Sequence, residues 1–160
     1  MDRVSLDGAR VLVSGASRGI GLAIARACAA EGARVALLAK TAEPHPKLPG
    51  TIHTAAEEVR AAGGEALPIL CDIRDGAQVG EAVAQAAEAF GGLDVVVNNA
   101  SAISLTGTGD TPLRRYDLMT GVNSRGTFAV TQAALPHLLV SERAHVLTLA
   151  PPPDPAPKWF

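Results

Sequence analysis

Aromatic side chains are scarce in this chain: three Phe, one Trp and one Tyr make up 3% of its 160 residues. A core here has to be built largely from small aliphatic side chains. Cysteine is nearly absent as well. Cys28 and Cys71 lie far apart, which argues against a disulfide scaffold and suits a reducing compartment. No apolar run approaches the ~18 residues needed to cross a bilayer. The opening Met1-Asp2-Arg3-Val4-Ser5 has no basic-then-apolar run of a secretory leader. The expectation is a cytoplasmic protein with no membrane partner. A formal net charge of −2 gives no electrostatic footprint for nucleic acid. The four histidines, His45, His53, His137 and His145, have no metal-ligand spacing, so no metal is expected.

What is present is a soluble, globular composition, with 48% apolar and 19% charged residues. One domain is expected at this length, burying roughly 70% of the surface its unfolded chain would expose. Along the chain, short apolar runs alternate with helical periods. Arg10 to Ser14, Ala33 to Ala39, Glu65 to Leu70, Leu93 to Asn98 and Ala144 to Leu149 read as strands. Between them, helical spacing begins at Gly19 (Ile20, Ala23, Ile24, Ala27, Cys28), at Thr51 (Ile52, Ala56, Val59), and after Asp72 and Asp75 (Val79, Val83, Ala87, Phe90). Pro112 to Leu139 is largely helical, with breaks at Gly121 and Gly126. Pro44, Pro46 and Pro49 make Lys40 to Gly50 a loop. The β-α-β order predicts an α/β fold: a doubly wound, Rossmann-like parallel sheet of five strands, with helices on both faces and right-handed crossovers. Ligands of such sheets sit at the carboxyl ends of the strands, here the loops after Ser14, Ala39, Cys71, Asn98 and Ala150.

The first of these loops is Ser14-Gly15-Ala16-Ser17-Arg18-Gly19-Ile20-Gly21. It lies between a predicted strand and a predicted helix, the context in which glycines read as a phosphate cradle. Gly15 permits a tight turn, and Gly19 and Gly21 let the helix N-terminus approach a pyrophosphate. The plainer alternative is a helix-capping turn whose glycines serve packing. About 20 residues further on, NAD binders carry an acidic residue for the ribose 2′-hydroxyl. Here the strand ends Leu37-Leu38-Ala39-Lys40. Arg18 and Lys40 suit a 2′-phosphate, or else are solvated surface cations. NADP is therefore the expected cofactor, with NAD as the alternative.

The spacing Gly-x-x-x-Gly-x-Gly resembles the short-chain dehydrogenase/reductase family, whose motif begins with Thr where this chain keeps the hydroxyl in Ser14. Asn98-Asn99-Ala100-Ser101 resembles the family's Asn-Asn-Ala-Gly, with Ser101 in the Gly slot. Gly121-Val122-Asn123-Ser124-Arg125-Gly126 resembles its helical Asn motif. Lys40 to Leu48 and Asn98 to Leu105 look like the hydroxysteroid dehydrogenase-like branch, and the resemblance runs from about Gly8 to Phe160. It implies a dinucleotide held by Gly15, Ser17, Arg18, Gly19, Ile20, Gly21, Lys40, Asp72, Asn99 and Ala100, and Asn123 as the catalytic Asn. Asp72 would contact adenine; its alternative is a helix N-cap, and both roles are compatible.

Family chemistry also needs a Tyr-x-x-x-Lys pair, in which Tyr exchanges a proton with the substrate oxygen. The single tyrosine, Tyr116, is followed four places on by Thr120. The expectation is an incomplete dinucleotide-binding domain over residues 1–149 and a Pro-rich tail over 150–160, a rigid loop or a polyproline ligand. Its last strand should be an exposed edge. The family implies an oxidoreductase acting on a small alcohol or carbonyl compound once completed. The alternative is a non-catalytic dinucleotide-binding or interaction module. Homo-oligomerisation stays open.

Overall fold

The computed structural model describes residues 5–44 and 50–151. The readings placed on Met1 to Val4, on residues 45–49 (His45, the loop prolines Pro46 and Pro49, and the end of the branch-like stretch) and on residues 152–160 of the Pro-rich tail lie outside these. The elements follow in order as β1 (Arg10–Ser14), α1 (Gly19–Ala30), β2 (Arg34–Ala39), α2 (Ile52–Ala61), β3 (Glu65–Leu70), α3 (Gly76–Phe90), β4 (Val95–Asn98), α4 (Leu113–Thr120), α5 (Thr127–Leu138) and β5 (His145–Thr148). A short 3₁₀ turn, Thr108–Asp110, precedes α4, and a π-helical segment, Gly121–Gly126, joins α4 to α5.

The five strands form one parallel sheet in the order β3-β2-β1-β4-β5. β1 is central, and the reversal of strand order beside it opens the crevice in which α/β sheets bind ligands. Side chains alternate across the sheet. Val11, Val13, Val35 and Leu37 pack with Ala25 and Ala29 of α1 and Ile52, Ala56 and Val59 of α2. Leu12, Ala36, Leu38 and Val96 pack on the other face with Val79, Val83 and Phe90 of α3 and Val130 and Ala134 of α5. Buried on both faces, β1 and β2 carry the continuous apolar runs that parallel strands require.

Local chemistry sets the element ends. Gly32 (φ +87°) and Gly91 (φ +72°) adopt the left-handed conformation that closes α1 and α3. Thr51 and Thr54 cap α2 reciprocally, each side-chain oxygen accepting the other's backbone N–H at 3.2 and 2.9 Å. The cap of α3 is Asp75, whose Oδ1 accepts from the backbone N–H groups of Ala77 and Gln78. The N-cap alternative for Asp72 is thereby corrected: Asp72 lies three residues too early to reach those amides. β4 begins at Val95 rather than Leu93. Asp94 ahead of it turns its carboxylate onto Arg10, accepting from Nε at 3.0 Å and Nη2 at 2.6 Å. Ser141 adds a hydrogen bond to the same carboxylate at 2.7 Å. The start of β1, the start of β4 and the approach to β5 are thus joined at the end of the sheet opposite the ligand crevice.

β5 is an edge strand, and all four of its residues are exposed, Val146 at 46% and Leu147 at 52%.

Candidate dinucleotide site

The turn after β1 is held to the turn after β4. Ser14 Oγ accepts the backbone N–H of Asn99 at 3.1 Å and of Ala100 at 3.2 Å, and Asn99 Nδ2 donates to the carbonyls of Ser14 at 3.0 Å and Gly15 at 3.1 Å. The three glycines of the loop have different jobs. A Cβ at Gly15 would lie 2.7 Å from Ala100 Cα, and one at Gly21 would lie 2.5 Å from the Gly15 carbonyl oxygen. Both positions are closed by neighbouring backbone. Gly19 sits at φ +57° with nothing within 4 Å of its Cβ direction. Its positive φ excludes most L side chains, and the open space in front of it borders the N-terminus of α1. That helix carries no side-chain cap, so its first amides are free for an anion.

In front of these turns is a cavity of about 420 Å³, within the range of small-molecule and cofactor clefts. Of the predicted cofactor residues, Gly15, Ser17, Arg18, Ile20, Lys40, Asp72, Asn99 and Ala100 line it. Gly19 and Gly21 are on the same turn but outside its lining. Thr41, Cys71, Ile73, Ala102, Leu118 and Val122 are not among the residues expected to hold the cofactor, and they complete the wall together with Leu38, Ala39 and Ser101. Thr41 and Cys71 flank the ends of β2 and β3, where the sequence already places ligand loops, and that position is the signal for them.

Arg18 reaches across to the turn after β2. Its Nη2 donates to Thr41 Oγ1 at 2.8 Å, and its Nη1 is buried with no hydrogen-bond partner among the described residues. Lys40 is exposed at the same strand end. The nearby carboxylate of Asp72 is occupied by Arg74, whose Nε and Nη2 lie 3.0 and 2.5 Å from its two oxygens. These hydrogen bonds hold the Asp72 carboxyl below its ordinary range against partial burial, and Lys40 helps at longer range. Burial pushes the Cys71 thiol up to about 11, with Asp72 and Asp75 adding to the effect. A thiol in that state is no nucleophile.

Asn123 lies outside the cavity lining, within the π-helical segment. Its Oδ1 accepts from the Ala102 N–H and its Nδ2 donates to the Ala102 carbonyl, both at 2.9 Å. The amide therefore grips one peptide unit of the loop after β4. π-Segments of this kind recur at functional sites, and Gly126 at the end of this one lets it pack closely on Ile73, whose side chain a Cβ there would meet at 2.6 Å. Among the described residues no cluster of His, Cys, Asp and Glu could hold a metal ion, and no helix is long and apolar enough to cross a membrane.

Residues 9–150 match the family model described as short chain dehydrogenase. The hydroxysteroid dehydrogenase-like protein 2 of Danio rerio is 56% identical over 97% of this chain. This chain spans 37% of the length of that curated relative. The crystal structure of a short chain dehydrogenase from Mycobacterium thermoresistibile superposes with a TM-score of 0.92 at 59% identity, over 97% of this chain and 55% of that one. A short chain dehydrogenase from Burkholderia cenocepacia, solved in complex with NADP, superposes with a TM-score of 0.79 at 36% identity, over 91% of this chain and 56% of that one.

Proposed function

The chain belongs to the short-chain dehydrogenase family, and from that premise we propose that it binds NADP in preference to NAD, as the nucleotide-holding part of an oxidoreductase for hydroxyl or carbonyl compounds. The observation that carries the preference is the half-used fork of Arg18. One arm is fixed on Thr41, and the other is buried with no partner among the described residues. An unpaired buried guanidinium nitrogen is costly. A 2′-phosphate would satisfy it with a charge-assisted hydrogen bond. Lys40 adds a second positive charge, and Arg74 already neutralises Asp72.

The cradle supports a dinucleotide on independent grounds. Gly19 leaves space at an uncapped helix N-terminus, where backbone N–H groups and the helix dipole favour a pyrophosphate. Ser14 and Asn99 fix the two backbones that flank that space. The cofactor, once bound, supplies or accepts hydride. Asn123 orders the Ala102 peptide at the edge of the cavity and so shapes the wall on which the redox end would rest. A reducing, cytoplasmic setting belongs to this reading and is in keeping with the free thiols of Cys28 and Cys71.

The 160 residues contain one tyrosine, Tyr116. It is 58% exposed on α4 and has Thr120 in the place of the Lys partner. That observation favours a second reading for these residues by themselves, a dinucleotide-binding module without turnover.

Calorimetric titration with NADP⁺ and NAD⁺ tests the main reading. NADP⁺ should bind more tightly. Arg18→Ala should weaken NADP⁺ about tenfold, as loss of one charge-assisted hydrogen bond implies, and leave NAD⁺ nearly unchanged. Lys40→Ala should act in the same direction by less, because Lys40 is exposed. Equal affinities in the starting chain would overturn the assignment.

A further inference from the structure

We propose that Thr41 is a positioning residue for cofactor choice, acting by holding the Arg18 guanidinium in the orientation that meets a 2′-phosphate. The proposal rests on the NADP reading above. Arginine carries much rotamer freedom, and a planar fork gives specificity only when its plane is set. Among the described residues the plane is set by one hydrogen bond, from Nη2 to Thr41 Oγ1 at 2.8 Å, which leaves Nη1 buried and unpaired beside the same cavity.

Thr41 can do this because its own backbone is anchored. Its carbonyl accepts the N–H of Ile52, the first residue of α2, at 2.9 Å. Helix α2 is in turn fixed by the buried cap Thr51 and by Ile52, Ala55, Ala56 and Val59 on the core. The two backbones also come close at Gly50. Gly50, just ahead of that cap, takes φ +82°, and a Cβ there would lie 3.0 Å from the Ser17 carbonyl oxygen. The glycine-rich turn is therefore tied to the segment leading into α2 by one hydrogen bond, from Arg18 to Thr41, and runs close to its backbone where Gly50 leaves room beside Ser17. The hydroxyl of Thr41 is the part of this arrangement that a side-chain substitution can remove without touching the backbone anchor.

The test is a double-mutant cycle on the 160-residue chain, read as the dissociation constants of NADP⁺ and NAD⁺ by calorimetry. Thr41→Val should weaken NADP⁺ about five- to tenfold, a hydrogen bond's worth, with NAD⁺ within about twofold. Thr41→Ser, which keeps the hydroxyl, should restore the starting ratio. In an Arg18→Ala background Thr41→Val should add less than about twofold, since coupled residues are not additive. If Thr41→Val weakens both cofactors alike, or weakens NADP⁺ equally with and without Arg18, or changes nothing, the positioning role is overturned. Should Thr41→Val not fold, Thr41→Ala takes its place in the same cycle. Arg18→Ala alone separates the two claims. If it leaves the cofactor ratio unchanged, the NADP reading fails and the proposal with it. If it collapses the ratio while Thr41→Val does not, the proposal alone fails.

Discussion

Ser14 and Asn99 are bonded twice, with Asn99 the donor each time: its backbone amide donates to the Ser14 hydroxyl at 3.1 Å, and its side chain donates to the Ser14 carbonyl at 3.0 Å. This closes the carboxyl ends of β1 and β4 into one unit. Ser14 is 1% exposed, so Ser14→Ala would remove the shared acceptor of two partly buried amides, those of Asn99 and Ala100. The expected loss is about 1–3 kcal/mol, or roughly 2–4 °C of melting temperature per kcal/mol for a chain of this size. Ser14→Thr, which keeps the oxygen, should lose much less. Differential scanning calorimetry of the two variants decides it, and equal losses would remove the hydroxyl from the account.

The glycines of the first turn should separate folding from binding. Gly21→Ala places a methyl group against the Gly15 carbonyl and the Asn99 side chain, and should destabilise the fold by several °C. Gly19→Ala meets no atom within 4 Å. It should cost only the strain of its left-handed backbone, about 1–2 kcal/mol, while its methyl group fills the space assigned to the pyrophosphate. NADP⁺ and NAD⁺ should both weaken, by about tenfold or more. Thermal melts beside calorimetric titrations check the pair, and a Gly19→Ala variant that binds both cofactors normally would move the pyrophosphate elsewhere.

Asp94 makes acid sensitivity predictable. Hydrogen bonds from Arg10 and Ser141 outweigh burial and hold its carboxyl far below the usual carboxylate range. A depressed folded-state pKa gives stability that is complete above the unfolded value of about 3.9 and is lost as pH falls toward the folded value. The chain should therefore lose stability below about pH 4, in part through this group. Asp94→Asn should already be destabilised at pH 7, by about 3 kcal/mol because the Arg10 pairing is broken, and should show a shallower acid limb. Urea melts at pH 7, 5 and 3.5 measure both, and parallel acid limbs would exclude Asp94 as the titrating group.

The 160 residues should oxidise no NADPH in the presence of aldehydes or ketones, because Tyr116 has no Lys four places on and general acid–base catalysis contributes roughly 10²–10⁴-fold. A stopped-flow absorbance trace at the reduced-nicotinamide band is the measurement. Substrate-dependent decay that Asn123→Ala abolishes would defeat the expectation.

β5 presents Val146 and Leu147 at an open sheet edge, and such edges template association. Val146→Lys should lower the concentration-dependent rise in sedimentation coefficient. No change would place the association elsewhere.

Much of this was readable before any coordinates. β1 and β3 fall on their expected residues, and β2 and the helices fall within a residue or a few, because apolar runs bounded by Gly and Pro are local signals. The glycine turn and the Asn motifs were legible for the same reason. What escaped was long-range and polar. The Arg18–Thr41 bond spans 23 residues across a strand and a helix, and no periodicity encodes it. The choice of Asp75 over Asp72 as the cap of α3 turns on a spacing of one helical turn, which two acidic residues three apart leave open. The Asp94 cluster draws Arg10 and Ser141 from distant segments, so its sequence shows only an isolated acid before a strand.

The π-helical segment has a consequence for insertions and deletions. An α-helix advances 100° per residue, while Gly121–Gly126 takes a wider turn that accommodates one more residue. Removing one residue between Leu118 and Val130 would let the turn relax to ordinary α-helix, with α4 and α5 nearly in phase as before but the widened turn around Asn123 gone. Where the residue removed lies outside Gly121–Gly126, every side chain of the motif survives, yet Asn123 would lose its present alignment with Ala102. The placement of this amide is thus specified by a count of residues, and a library that varies length here will lose the site more readily than one that varies composition.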